Sequence, residues 1–228
     1  MENLFKKHLD LRLKQIEELL SGSEFNGVLV DAGTPPYYYL DDQPMPFKTN
    51  PQFNFLCPAQ GEKHMLLIEP NKKPELLFYA PNDFWHDTSV FTEDFWTNEF
   101  SINIISDDQK LWSYFKPSSS KNITFLSQQK GKALAAGFTE PSQLFLSGFN
   151  WLRGEKTDYE IHCIREANKI ASLGHLKAKE AFLAGASETD INYEYLIATQ
   201  QNSNNLPYQN IIHSMKKPPY YIIMAVEK

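Results

Sequence analysis

The chain reads as an α/β protein: a three-layer domain with a mixed or parallel sheet, then a region of two helices and little else. Three observations carry this reading. Short apolar runs bounded by Pro, Asn or Asp recur between residues 27 and 126. Helical patterns alternate with them, the arrangement that places helices on the faces of a sheet. Beyond Trp151 the strand signals stop, and two capping sequences each open a helical run.

Residues 2–20 place Phe5, Leu9, Leu13, Ile16 and Leu20 at helical spacing among Lys and Glu, and Ser21-Gly22-Ser23 ends that helix. Residues 27–30 then form a short buried strand. Further strands are expected over 65–68, 76–79, 102–105 and 123–126, and helices over 111–115 and 131–137. Thr157-Asp158-Tyr159-Glu160 is a capping box ahead of a long helix to about residue 184, with Ile161, Ile164, Ala167, Ile170, Ala171 and Leu173 or Gly174 as its apolar stripe. Ser187-Glu188-Thr189-Asp190 repeats that logic and opens a helix over 191–199. The expected boundary falls near Lys156, dividing 1–156 from 157–212.

Bulk composition narrows the function classes. Hydrophobic content of 42% with 14% aromatic residues supports a filled core, which disordered chains lack. A net charge of −6 argues against nucleic acid or an anionic membrane as partner. Cys57 and Cys163 stand far apart with no metal-type spacing, and both read as inert packing residues. Without a basic-then-apolar leader at Met1 or a long apolar run, the expectation is a cytoplasmic protein. The phosphate-cradling and nucleophile-elbow motifs are missing too.

The most specific signal is the run Leu40-Asp41-Asp42-Gln43-Pro44-Met45-Pro46-Phe47-Lys48-Thr49-Asn50-Pro51-Gln52-Phe53, with Asp83-Phe84-Trp85-His86 beyond it. Paired carboxylates, three prolines and aromatic side chains make poor helix and poor central strand, so a loop held against something is expected. Together with Phe78-Tyr79, these residues resemble bacterial Xaa-Pro dipeptidases (prolidases) and the related organophosphorus acid anhydrolases. Lys156, Glu160, Arg165, Glu166, Ala167 and Lys169 resemble the run that opens that family's catalytic domain. Tyr208 and Asn210-Ile211-Ile212 resemble a later segment of it.

The resemblance implies a creatinase-like N-terminal domain, here followed by only the first two helices of a pita-bread catalytic domain. It further implies hydrolysis of proline-terminated dipeptides by a homodimer. Two manganese ions would there activate a bridging hydroxide, the arrangement that polarises a carbonyl and supplies a nucleophile. The family's metal ligands fall beyond residue 228, so no catalytic residue, metal ligand or cofactor is assigned to this chain, which is expected to be inactive alone. Asp42, Trp85 and Tyr208 match substrate-pocket positions; on residue type alone, Asp42 is a turn acid and Trp85 a half-buried aromatic. His86 reads as a structural histidine. Asp31-Ala32-Gly33 copies a metal-site tripeptide of the family, but at the end of the first strand a strand exit explains it. His162 and Glu166, one helical turn apart, form too small a set for a metal site.

Residues 213–228 depart from the family. Back-translated and regrouped one base earlier, their codons permit Phe or Leu, then Asn, Glu, Lys, Thr, Ala, Ile, Leu, His and Tyr, which follows the family's continuation. An out-of-frame tail is therefore expected. A second reading stays open, in which the chain is a dimerisation or regulatory module that pairs with a full-length prolidase.

Overall fold

The computed structural model describes residues 1–82, 90–202, 204 and 206–213. It divides into two units, Met1–Tyr159 and Glu160–Lys228.

In the first unit, helix α1 (Glu2–Ser21) leads into strand β1 (Gly27–Asp31), short helix α2 (Pro51–Leu56), strands β2 (Met65–Ile68), β3 (Glu75–Tyr79) and β4 (Ser101–Ile105), helix α3 (Leu111–Tyr114), strand β5 (Ile123–Leu126), and helices α4 (Lys130–Ala135) and α5 (Gln143–Leu152). Among the described residues five strands form one mixed sheet in the order β4-β3-β2-β1-β5. β1 runs parallel to β5 and antiparallel to β2, β2 antiparallel to β3, and β3 parallel to β4.

Alternating side chains separate the two faces of this sheet. Val28, Val30, Leu66, Ile68, Leu76 and Phe78 pack with Phe5, Leu9 and Ile16 of α1, Phe53 of α2, and Phe145 and Phe149 of α5. Leu29, Met65, Leu77, Ile123 and Phe125 point the other way, onto Leu111 of α3 and Ala133 of α4. Helices therefore cover both faces, and the three-layer α/β expectation holds.

The five strands lie where the apolar runs put them. Two helices lie where none was expected. α2 begins inside the presumed loop, because Pro51 occupies its first turn, where a missing N–H costs nothing, and the Asn50 side chain accepts from Gln52 N at 3.1 Å. α5 is capped by Ser142, whose hydroxyl accepts from Phe145 N. Its interior Gly148 lets the helix close on Leu19 of α1.

α1 also buries more than its apolar stripe. His8 and Arg12 are both 1% exposed. Arg12 donates to the Glu155 carbonyl at 2.6 Å and to Gln15 Oε1 at 2.9 Å, with its guanidinium 4.9 Å from the centre of the Phe55 ring. A buried charge is tolerated when it is hydrogen-bonded and lies over a ring face in this way.

The second unit holds most of α6 (Asp158–Leu183) and all of α7 (Glu188–Thr199). Ser187 Oγ accepts from Asp190 N at 3.2 Å and donates to Asp190 Oδ2 at 2.6 Å, so the cap read in the sequence forms with Asp as the third residue. The two helices meet at Gly174, where a Cβ would stand 2.6 Å from both Thr199 Cγ2 and the Tyr195 ring. Of the apolar stripe read along α6, Gly174 is buried while Ile164, Ile170 and Leu173 are exposed.

Candidate functional site

The segment carrying Asp42 leaves the sheet at the end of β1. Its root is tied on several sides. The Asn50 amide donates to the Asp31 carbonyl at 2.9 Å and the Leu126 carbonyl at 3.2 Å, while Asn50 N donates to the Ala32 carbonyl at 2.8 Å. One side chain thus joins the ends of β1 and β5 and starts α2. Asp31 is 1% exposed, and its carboxyl accepts from Gly33 N at 2.8 Å and from Ser127 Oγ at 2.6 Å. Burial pushes its pKa up, against the pull of those two donors and of Lys132. These bonds account for Asp31 as the buried end of a strand, as its position in the sequence suggests.

Beyond the root the chain folds back on itself. Tyr38 N donates to the Gln43 carbonyl at 3.2 Å and Met45 N to the Pro36 carbonyl at 2.8 Å, with Tyr37 bridged to Pro44. At the tip, Asp41 N reaches the Tyr38 carbonyl and the Asp41 carboxyl accepts from Gln43 N at 3.0 Å. Leu40 sits there at φ 57°, a left-handed conformation that a side chain disfavours. Tyr39 and Leu40 are 91% and 90% exposed, and Asp42 is exposed beside them. Both acids are exposed, and it is the Asp41 carboxyl that secures the turn.

Trp85 and His86 lie outside the described residues, as do residues 214–228 of the expected out-of-frame tail. Tyr208 belongs to the second unit and is 73% exposed. Cys57 is fully buried, and burial pushes its thiol up to about 12, beyond any nucleophilic use at neutral pH. Cys163 is exposed on α6, so the packing role read for it does not hold.

At the carboxyl ends of β1 and β5 lies a cleft of about 20 Å³, lined by Asp31, Thr34, Lys63, Asp108, Gln129 and Lys132. That is room for one water and far too little for a dipeptide. Among the described residues no three His, Cys, Asp or Glu side chains gather as a metal site would require. Glu166, one turn from His162, accepts from Lys169 at 2.6 Å. These described residues do not fit a two-manganese centre. Among the described residues no helix is long and apolar enough to cross a membrane.

Sequence comparison matches residues 3–151 to the family model described as Xaa-Pro dipeptidase, N-terminal domain. An Xaa-Pro dipeptidase of Shewanella woodyi is 36% identical over 214 residues, covering 93% of this chain and 48% of that protein. One from Glaesserella parasuis is 38% identical over 217 residues with the same coverage. An Xaa-Pro dipeptidase from Bacillus anthracis superimposes with a TM-score of 0.53 at 15% identity, over 84% of this chain and 49% of that one, a likeness of fold. The chain thus spans about half the length of the curated relatives it matches. With the family model spanning the whole of the mixed sheet and its covering helices, the chain belongs to the Xaa-Pro dipeptidase family.

Proposed function

We propose that this chain supplies the non-catalytic part of a metal-dependent Xaa-Pro dipeptidase and does not hydrolyse dipeptides alone. In this reading the turn at residues 38–43 carries Asp42 into the small substrate pocket of a neighbouring subunit, and Trp85 lines the same site. Tyr208 is a pocket wall of the catalytic region. The assembly is a cytoplasmic homodimer, acts on dipeptides ending in proline, and takes its two manganese ions from ligands other than the residues described above.

One observation supports this most. Asp42 is exposed on a turn whose root is bound to β1, β5 and α2. A side chain placed that way serves another surface rather than its own core. The pair Asp41-Asp42 then divides the labour: one acid closes the turn and the other is presented.

The test is hydrolysis of an Xaa-Pro dipeptide with added manganese, by the purified chain and by a version whose codons from His213 onward are read in the alternative frame. Activity confined to the second protein, and lowered there by Asp42→Ala, is the expected result. Activity of the chain as written would overturn the reading. Capture of an intact prolidase by this chain would favour the regulatory-module alternative.

A further inference from the structure

His64, at the head of β2, is completely buried, between the rings of Phe78 at 4.2 Å and Phe53 at 6.2 Å. Both ring nitrogens are committed to backbone. Nε2 lies 2.8 Å from the Gln60 carbonyl, which can only accept, so Nε2 carries the hydrogen. Tyr79 N donates to Nδ1 at 2.9 Å, so Nδ1 offers its lone pair. The ring is therefore neutral, in a tautomer dictated by its partners. A second proton could go only to Nδ1, where it would meet the Tyr79 N–H head on.

What His64 holds in place is the root of the Asp42 segment. Its carbonyl accepts from Ala32 N at 2.8 Å, and the preceding Lys63 N donates to the Gly33 carbonyl at 2.7 Å. On the other side Asn50 N donates to the Ala32 carbonyl. The turn that delivers His64 is left-handed at Gly61, φ 119°, and at Lys63, φ 61°, and the His64–Gln60 bond closes it. Lys63 disfavours that conformation, so the turn relaxes if the bond is lost.

The titratable groups on the surrounding elements are Asp31 on β1, Cys57 after α2, Lys63 next in the chain, whose ammonium stands over the Tyr79 ring at 5.0 Å, and Tyr79 on β3. Lys63 in turn faces Glu62 at 3.3 Å and Asp108 at 3.6 Å. Burial is the main influence on His64 and lowers its pKa, against the Gln60 carbonyl, which favours the protonated ring.

We propose that His64 is an acid-released clamp on the root of the 33–50 segment: a proton at Nδ1 expels the ring from its seat and frees the stretch that carries Asp42. The clamp stands on the geometry alone; its bearing on a substrate pocket rests on the reading of Asp42 given above. The sign follows from linkage. The open form takes the proton at the ordinary histidine value of about 6.5 and the closed form only at lower pH, so the clamp is closed above that value. As pH falls through the interval between the two values, opening rises about tenfold per pH unit.

Amide hydrogen exchange on the full chain from about pH 7.5 to about pH 4.5, corrected for intrinsic rates and read beside the ¹⁵N shifts of the His64 ring, tests this. Protection of the Ala32 and Lys63 amides should fall about tenfold per pH unit below about 6.5, while amides at the centre of β1 and β5 stay protected. In His64→Asn the pH dependence should vanish. Should that variant fail to fold, the wild-type profile decides by itself. Unchanged protection while the ring titrates, or loss only in step with the centre of β1, would overturn the proposal. The readout involves no peptidase activity, so its outcome is independent of the proposed function.

Discussion

His8 and Thr157, 149 positions apart in the chain, meet at 2.8 Å between Nδ1 and Oγ1. The other ring nitrogen lies 2.8 Å from the Phe55 carbonyl and must donate to it. In the neutral ring Nδ1 is then an acceptor and the Thr157 hydroxyl donates. One buried imidazole thus joins α1, the end of α2 and the segment leading out of α5.

Removing that link should be costly, because it leaves buried polar groups to be satisfied anew. His8→Ala should lower stability by roughly 2–4 kcal/mol, a sum of lost packing and stranded hydrogen-bonding groups. A double-mutant cycle with Thr157→Val, followed by urea denaturation, should return a coupling of about 0.5–1.5 kcal/mol. Strict additivity would mean the bond contributes nothing.

Asp31 has the opposite electrostatic sense from a salt-bridged acid. Its native pKa is raised, chiefly by burial. Its contribution to stability is therefore fully present below the unfolded value of about 3.9 and is lost as pH rises through the native value. Asp31→Asn keeps an acceptor for Gly33 or Ser127 and carries no charge. Its stability relative to wild type should improve from about pH 4 to about pH 7 in thermal unfolding scans. A difference independent of pH would show that Asp31 is not strained by its charge.

Two glycine substitutions should move stability in opposite directions. Gly131, in α4, has nothing near the position of a Cβ, so Gly131→Ala should gain up to about 1 kcal/mol from helix propensity. Gly174→Ala places its methyl 2.6 Å from Thr199 and Tyr195, and overpacking of about 1–3 kcal/mol should exceed the same propensity gain. Circular dichroism melts of the two variants would show it. A stabilised Gly174→Ala would mean that α6 and α7 part easily.

The cap of α7 is a smaller lever. Ser187→Ala removes the acceptor for Asp190 N, and a loss of about 1 kcal/mol is expected. Ser187→Asp should keep most of it, because a carboxylate also suits a helix N-terminus. Helicity and hydrogen exchange within 188–199 provide the measurement.

Much of the fold was legible along the chain. β2 and β5 coincide with apolar runs flanked by turn formers, since a buried strand has little freedom in residue type. α2 was missed because Pro51 reads as a breaker until its place in the first turn is known. α5 was missed because Phe145, Phe149 and Trp151 around an interior glycine carry no strong helical signature; contact between Gly148 and Leu19 makes the helix close on α1. Arg12 escaped notice for a similar reason, since charge marks a residue as exposed until the Glu155 carbonyl and the Phe55 ring are brought to it.

The site divides in the same way. The family, Asp42 as a candidate pocket residue and the cap at Ser187 were all readable from local residue patterns, because each depends on neighbours a few positions away. The strand order, the burial of His8, Arg12 and His64, and the use of the Asp41 carboxyl to close the turn came only with the tertiary structure. Each of those depends on partners dozens of residues distant or on one backbone bond at a turn, and neither is encoded in local periodicity.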